Sequence, residues 1–267
     1  MTENVRVLVG TTKGAFVLDG SADRGSWSVR GPYCDGWTIN HVVADQSTGT
    51  MWAGGGGDWS GAGVWRSDDD GHTWTLAKLT IGELDRWAAN DPGFAQMIGW
   101  DGASPPFGED FGQIWSLARV GGNVYAGTKP AKLLVSEDDG QTWDIVKGLT
   151  DHPSAPDWVP GGAGLVLHTI LADPENPDAM WVGISSAGVF ATQDGGATWE
   201  RRNDLAEAVA EVGHPAGPRD GQVGHCVHHI ERAPGQGADG GDVLYQQNHY
   251  GVWRSEDGGR SWRNVNA

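Results

Sequence analysis

Cysteine is scarce in this chain, with 2 residues in 267, and the two, Cys34 and Cys226, show neither a disulfide framework nor zinc-finger spacing. The expectation is a pair of reduced, buried thiols. Positive charge is also thin: 18 Lys and Arg stand against 35 Asp and Glu, giving a formal net charge of −17. An acidic chain without a basic stripe repels phosphate backbones and anionic lipid, so neither nucleic acid nor a membrane is an expected partner. No apolar run approaches the roughly 18 residues of a spanning helix, and residues 1–10 lack a basic leader pattern. A soluble, cytoplasmic protein is expected.

Glycine and tryptophan are plentiful instead, at 43 and 15 residues. Without a Gly-X-Y period, that much glycine belongs to tight turns between many short strands. The turns repeat. Ser67 to Trp74, Ser136 to Trp143, Thr192 to Trp199 and Ser255 to Trp262 all fit [ST]-x-D-x-G-x-[TS]-W. Three alternating runs precede each copy, as in Ile39–Val43, Thr50–Gly54 and Gly63–Arg66 before the first. The unit is therefore four strands, A to D, with D expected to start at the motif's Trp. In each motif the Asp can accept backbone N–H bonds, the Gly supplies a positive φ, and the Trp can plug the gap between neighbouring units.

These motifs resemble the Asp-box, or bacterial neuraminidase repeat, β-propellers of the sialidase and glycosyl-hydrolase-like superfamily, and the resemblance covers nearly the whole chain. It implies an all-β fold, a β-propeller of four-stranded antiparallel blades. Four blades are complete, and an N-terminal partial blade has three strands, Val5–Val9, Gly14–Leu18 and Ser26–Arg30. One domain spans 1–267, expected to be part of a six- or seven-bladed ring, with an irregular five-bladed ring as the alternative. The resemblance also implies that the box is structural, so Asp69, Asp138, Asp194 and Asp257 receive no catalytic role. It does not extend to a true sialidase, since the chain has no Arg-Ile-Pro segment and only four tyrosines.

Extra residues fall in the D-to-A connections Leu79–Gly112, Thr150–Gly164 and Asp204–Gly224, which together with the B–C turns mark the binding face. Equivalent A-strand positions carry Asn40, Trp115, His168 and His228, followed by His41, Ser116, Thr169 and His229. Only one register per strand can face the centre, and the sequence leaves the choice open. Imidazoles converging there are candidates for acid–base work (His168, His228) or for a divalent metal (His41, His168, His228). Polar groups lining a water-filled channel are the plainer reading, and no cofactor is otherwise expected.

The B–C turns add Lys13, Asp58, Trp59, Lys129, Ser185, Ser186, His249 and Tyr250, the last two in the fifth unit, and Gly54–Trp59 reads as a flexible B–C turn. The insert after the first box mixes Trp and Phe with Asp101, Glu109 and Asp110. Aromatic rings stack on sugar faces and carboxylates hold hydroxyls, so a glycan-like or small polar ligand fits this composition. Hydrolysis needs two carboxyls about 5–9.5 Å apart; Asp58, Glu109 and Asp110 are the candidates. Lys13, His41, Trp59, Trp115, Lys129, His249 and Tyr250 are the candidate ligand contacts. The alternative is a non-catalytic scaffold that uses the same face for a protein partner.

Overall fold

A computed structural model describes residues 5–203, 226–237 and 240–266. Its strands form five antiparallel sheets. The first has three strands, β1 (Val5–Thr11), β2 (Gly14–Gly20) and β3 (Trp27–Tyr33). The second comprises β4 (Ile39–Ala44), β5 (Met51–Gly57), β6 (Gly61–Ser67) and β7 (Thr75–Lys78), followed by helices α1 (Glu83–Asn90) and α2 (Pro92–Ile98). The third holds β8 (Gln113–Val120), β9 (Asn123–Lys129), β10 (Leu133–Ser136) and β11 (Asp144–Ile145), and helix α3 (Lys147–Thr150) follows it. The fourth is β12 (Leu167–Ala172), β13 (Met180–Ile184), β14 (Gly188–Thr192) and β15 (Glu200–Arg201). The fifth is β16 (His229–Ala233), β17 (Val243–Asn248), β18 (Gly251–Ser255) and β19 (Arg263–Asn264). This is the blade order expected of a β-propeller: four complete blades and a three-stranded first one.

The chain divides into two compact units, residues 1–117 with 137–142, and residues 118–136 with 143–267. In the first unit Ala15, Ile39, Val42, Ala53 and Trp65 form a core between the first and second sheets, with Tyr33 and Trp74 packed on it. In the second, one cluster joins Tyr125 and Leu133 to Met180, Val182, Phe190 and Trp199, and another joins Trp181 to Trp253 and Trp262. The motif tryptophans Trp74, Trp199 and Trp262 thus each pack at a junction between sheets, where alternating inward side chains of two blades meet.

The four repeated turns share one hydrogen-bond pattern. Asp69 accepts the backbone N–H of Thr73 at 2.8 Å and its hydroxyl at 2.6 Å. Asp138 does the same with Thr142, Asp194 with Thr198, and Asp257 with Ser261. The hydroxyls of Ser67, Thr192 and Ser255 accept the N–H of Gly71, Gly196 and Gly259. Those glycines and Gly140 have positive φ, and so do the preceding Asp70, Asp139, Gly195 and Gly258. Two successive left-handed residues explain why only Asp or Gly stands before the motif Gly.

Three expectations need correction. The D strands begin one residue after the motif Trp, at Thr75, Asp144, Glu200 and Arg263, because the Trp side chain closes the turn instead of entering the ladder; Trp74 and Trp199 donate to Gly71 O and Gly196 O. The insert 79–112 carries α1 and α2, where Asp91 caps α2 by accepting from Gly93 N and Phe94 N. Of the stretch Gly54–Trp59, the glycines Gly54–Gly57 are not a flexible turn but the end of β5, and only Asp58 and Trp59 lie in the turn. A Cβ on Gly55 would lie 1.9 Å from Thr38 O, and one on Gly54 2.5 Å from the Ile114 side chain, so bare backbone is required for these neighbours to approach. The connection Asp204–Gly224 lies outside the described residues.

Candidate functional site

Two of the A strands, β4 and β12, carry β-bulges at the positions in question. In β4 the ladder steps from Ile39↔Gly55 to His41↔Gly54, leaving Asn40 as the extra residue, and in β12 it steps from Leu167↔Ile184 to Thr169↔Gly183, leaving His168. At the head of β16, His228 N donates to Gln247 O while His229 pairs with Gln247. A bulge re-aims one side chain. Asn40 and His168 are the re-aimed residues and, like His228, are half-buried; His41 and His229 are exposed, and Ser116 and Thr169 are buried.

In the first unit Asn40 donates to Ile114 O, and His41 Nδ1 accepts the N–H of Leu117 at 2.8 Å. These polar side chains tie β4 to β8. Trp115, half-buried, lies in β8 between buried Ile114 and Ser116, and Lys13 is exposed in the β1–β2 turn.

The same unit builds a cleft at the B–C end of the second sheet. The β5–β6 turn holds Asp58 and Trp59, whose carbonyls accept the N–H groups of Glu83 and Leu84 at the start of α1. Buried Asp85 fixes that helix by accepting from Gly82 N at 2.7 Å and pairing with Lys78. Gly82 must be glycine, since a Cβ would meet Trp59 O at 2.4 Å. The junction produces a cavity of about 210 Å³ lined by Asp58, Glu83, Arg86 and Glu109 together with Ile81 and Phe111. Arg86 pairs with both Glu83 and Glu109, the latter at 2.9 Å. Beside it, Trp59 and Trp87 stand edge to face at 5.3 Å and are 52% and 56% exposed, with Phe94 6.2 Å beyond Trp87. The structure therefore brings Asp58, Trp59 and Glu109 together, while exposed Asp110 is not among the lining residues. Sequence reasoning missed Glu83, Arg86 and Trp87, although the 83–90 segment has the acidic first turn of a helix.

The second unit gathers another set. Cys226 and His228 are two apart in extended chain, so their side chains share a side. The β17–β18 turn brings His249 to them: Asn248 Oδ1 accepts Tyr250 N and Trp253 Nε1, and Gly251 takes φ 114°. His249 stacks on His228 with centroids 4.8 Å apart, and His168 meets the same ring edge-on at 5.0 Å. Burial, then the neighbouring His228 and Lys129, hold His168 down at about 4; burial and His249 lower His228. Both rings are neutral imidazoles at neutral pH. Burial raises the Cys226 thiol against hydrogen bonds from Ser186, a residue held at φ 61° in the β13–β14 turn. Buried Tyr250 lies close enough to feel the Cys226 charge. Of the candidate residues, His168, His228, His249, Lys129 and Tyr250 belong to this cluster, and Cys226 is its unassigned member.

No family model matches the chain. Over 78 residues, 29% of this chain and 9% of the relative, it is 33% identical to an oligoxyloglucan-reducing end-specific xyloglucanase of Emericella nidulans. The solved GH74 xyloglucanase from Xanthomonas campestris superposes with a TM-score of 0.57 at 18% identity, covering 98% of this chain and 36% of that one. YCF48 from Cyanidioschyzon merolae superposes with a TM-score of 0.51 at 12% identity, covering 93% of this chain and 63% of that one. The chain thus spans about a third of that solved xyloglucanase and a tenth of the curated relative. Likeness at these identities is likeness of fold. The class is an all-β protein with a β-propeller fold.

Proposed function

We propose that this chain is an Asp-box propeller that binds a glycan at the cleft between the β5–β6 turn and α1. The observation that carries the reading is the exposed Trp59–Trp87 pair beside a cavity lined by three carboxylates and one guanidinium. Aromatic faces take up the apolar face of a sugar ring, while Asp58, Glu83 and Glu109 accept from its hydroxyls and Arg86 donates to its oxygens. The partial sequence match to a xyloglucanase supports a β-glucan-type chain as the first ligand to try. Cleavage extends the same reading, with Asp58 and Glu109 as the carboxyl pair the cavity offers.

The test is calorimetric titration of the full chain with xyloglucan and cello-oligosaccharides, with product release followed in parallel. Binding that weakens about tenfold or more in Trp59→Ala and Trp87→Ala supports the cleft, and turnover lost in Asp58→Asn adds hydrolysis. Folded protein that binds no member of a broad glycan panel overturns the reading and favours the protein-interaction scaffold.

A further inference from the structure

A second cluster, in the other unit, has a chemistry that sugar binding does not use. Cys226, His228 and His249 offer one sulfur and two imidazole nitrogens that lie within 4.8 Å of one another. We infer that these three residues bind a divalent transition metal ion of the zinc class, with one coordination position left for water or a small ligand.

The donor set decides the metal. Thiolate and imidazole suit zinc and its neighbours in the first transition row, whereas calcium and magnesium want oxygen. Zn–N near 2.0–2.1 Å and Zn–S near 2.3 Å put tetrahedral donors roughly 3.3–3.7 Å apart, so the trio closes by about 1 Å. The side chain that can move is His249, at the exposed tip of a turn whose backbone Asn248 pins. The other two are held: His228 by its backbone bond to Gln247 and the edge of His168, Cys226 by Ser186.

Proton accounting is consistent with this assignment. The neutral imidazole ring is the form that ligates. Cys226 begins as a thiol, so binding forms the metal–thiolate bond and releases one proton to solvent. Facing the cluster are Lys129, through His168, together with Tyr250 and Ser186. Lys129 is the opposing charge, and the thiolate offsets it.

Cobalt(II) is the probe, added to chelator-treated full-length protein. Expected is a near-ultraviolet thiolate-to-cobalt charge-transfer band that saturates at one equivalent, persists in Cys34→Ser and is lost in Cys226→Ser. His249→Ala, a change at an exposed turn, should keep the near-ultraviolet dichroism of the folded protein and weaken cobalt binding about tenfold or more. No charge-transfer band in the folded wild type overturns the site. So does a band of equal strength in Cys226→Ser, or cobalt affinity unchanged in His249→Ala.

Discussion

The indole Nε1 of Trp52 donates to the backbone carbonyl of Asp139 at 2.8 Å, joining the B strand of one blade to the repeated turn of the next. The same relation recurs from Trp181 to Gly258 at 2.8 Å and, through a phenol, from Tyr125 to Gly195 at 3.4 Å. The acceptor is always the left-handed residue before the motif Gly, whose conformation turns its carbonyl outward from the turn. The repeated turns are thus also joints between blades.

Trp52 is fully buried, so Trp52→Phe removes both the donor and part of the ring. It should cost about 2–3 kcal/mol in urea unfolding, combining the lost hydrogen bond to a half-buried carbonyl with a cavity where the buried indole stood. Trp59→Phe, at an exposed ring, should stay within about 0.5 kcal/mol. Equal effects at the two sites would refute the joint.

The periodic part of this architecture is legible in the sequence because each blade repeats the same turn chemistry: Asp69 and Thr73 reappear as Asp138 and Thr142, Asp194 and Thr198, Asp257 and Ser261. What is not periodic is harder to read. The bulges at Asn40 and His168 arise from two-against-one pairing with a neighbouring strand, which no local pattern encodes. Gly54–Gly57 looks like a turn because its reason, the approach of Thr38 and Ile114, lies elsewhere in the chain. Trp59 and Glu109 are individually visible as candidates, but Glu83, Arg86 and Trp87 join them only once 83–90 becomes helical. Cys226 meets His249 only because a turn 23 positions later folds back beside it.

Acid should loosen the boxes before it loosens anything that depends on burial alone. Hydrogen bonds from Thr73, ahead of those from Ser67 and His72, hold Asp69 at about 2, and Thr198 does the same for Asp194, against an ordinary 3.8. A carboxyl depressed in the folded state contributes stability that is present above about pH 3.8 and lost as pH falls through about 2. Denaturant midpoints measured between pH 5 and pH 2 should therefore fall most steeply below pH 4. The fall should be shallower in Asp69→Asn with Asp194→Asn. A slope unchanged by the two substitutions would show that other groups carry the acid transition.

Two glycines of β5, two positions apart, make a sharper test. Gly55→Ala places a Cβ 1.9 Å from Thr38 O, a backbone atom that cannot swing aside, whereas Gly57→Ala meets nothing within 4 Å. The first substitution should destabilise by roughly 3 kcal/mol or more, and the second should be within about 1 kcal/mol of wild type. If both are tolerated, β5 does not approach β4 as closely as described.

Asp85 holds together, without lining it, the cleft proposed to bind glycan. Its carboxylate is buried, accepts Gly82 N at 2.7 Å and pairs with Lys78, so it pins the start of α1 to β7. Asp85→Ala leaves Gly82 N without its acceptor and Lys78 without its counter-charge, a loss of about 2–3 kcal/mol concentrated in the insert. Limited proteolysis should then cut within 83–98 faster than in wild type while the sheets stay protected, because local opening follows local stability. Trp87 rides on α1, so its pairing with Trp59 should loosen and glycan affinity should fall although no sugar-facing side chain has changed. Faster cleavage with full affinity would mean that Trp87 is not part of the binding surface; neither effect would mean that α1 is anchored chiefly through the carbonyls of Asp58 and Trp59.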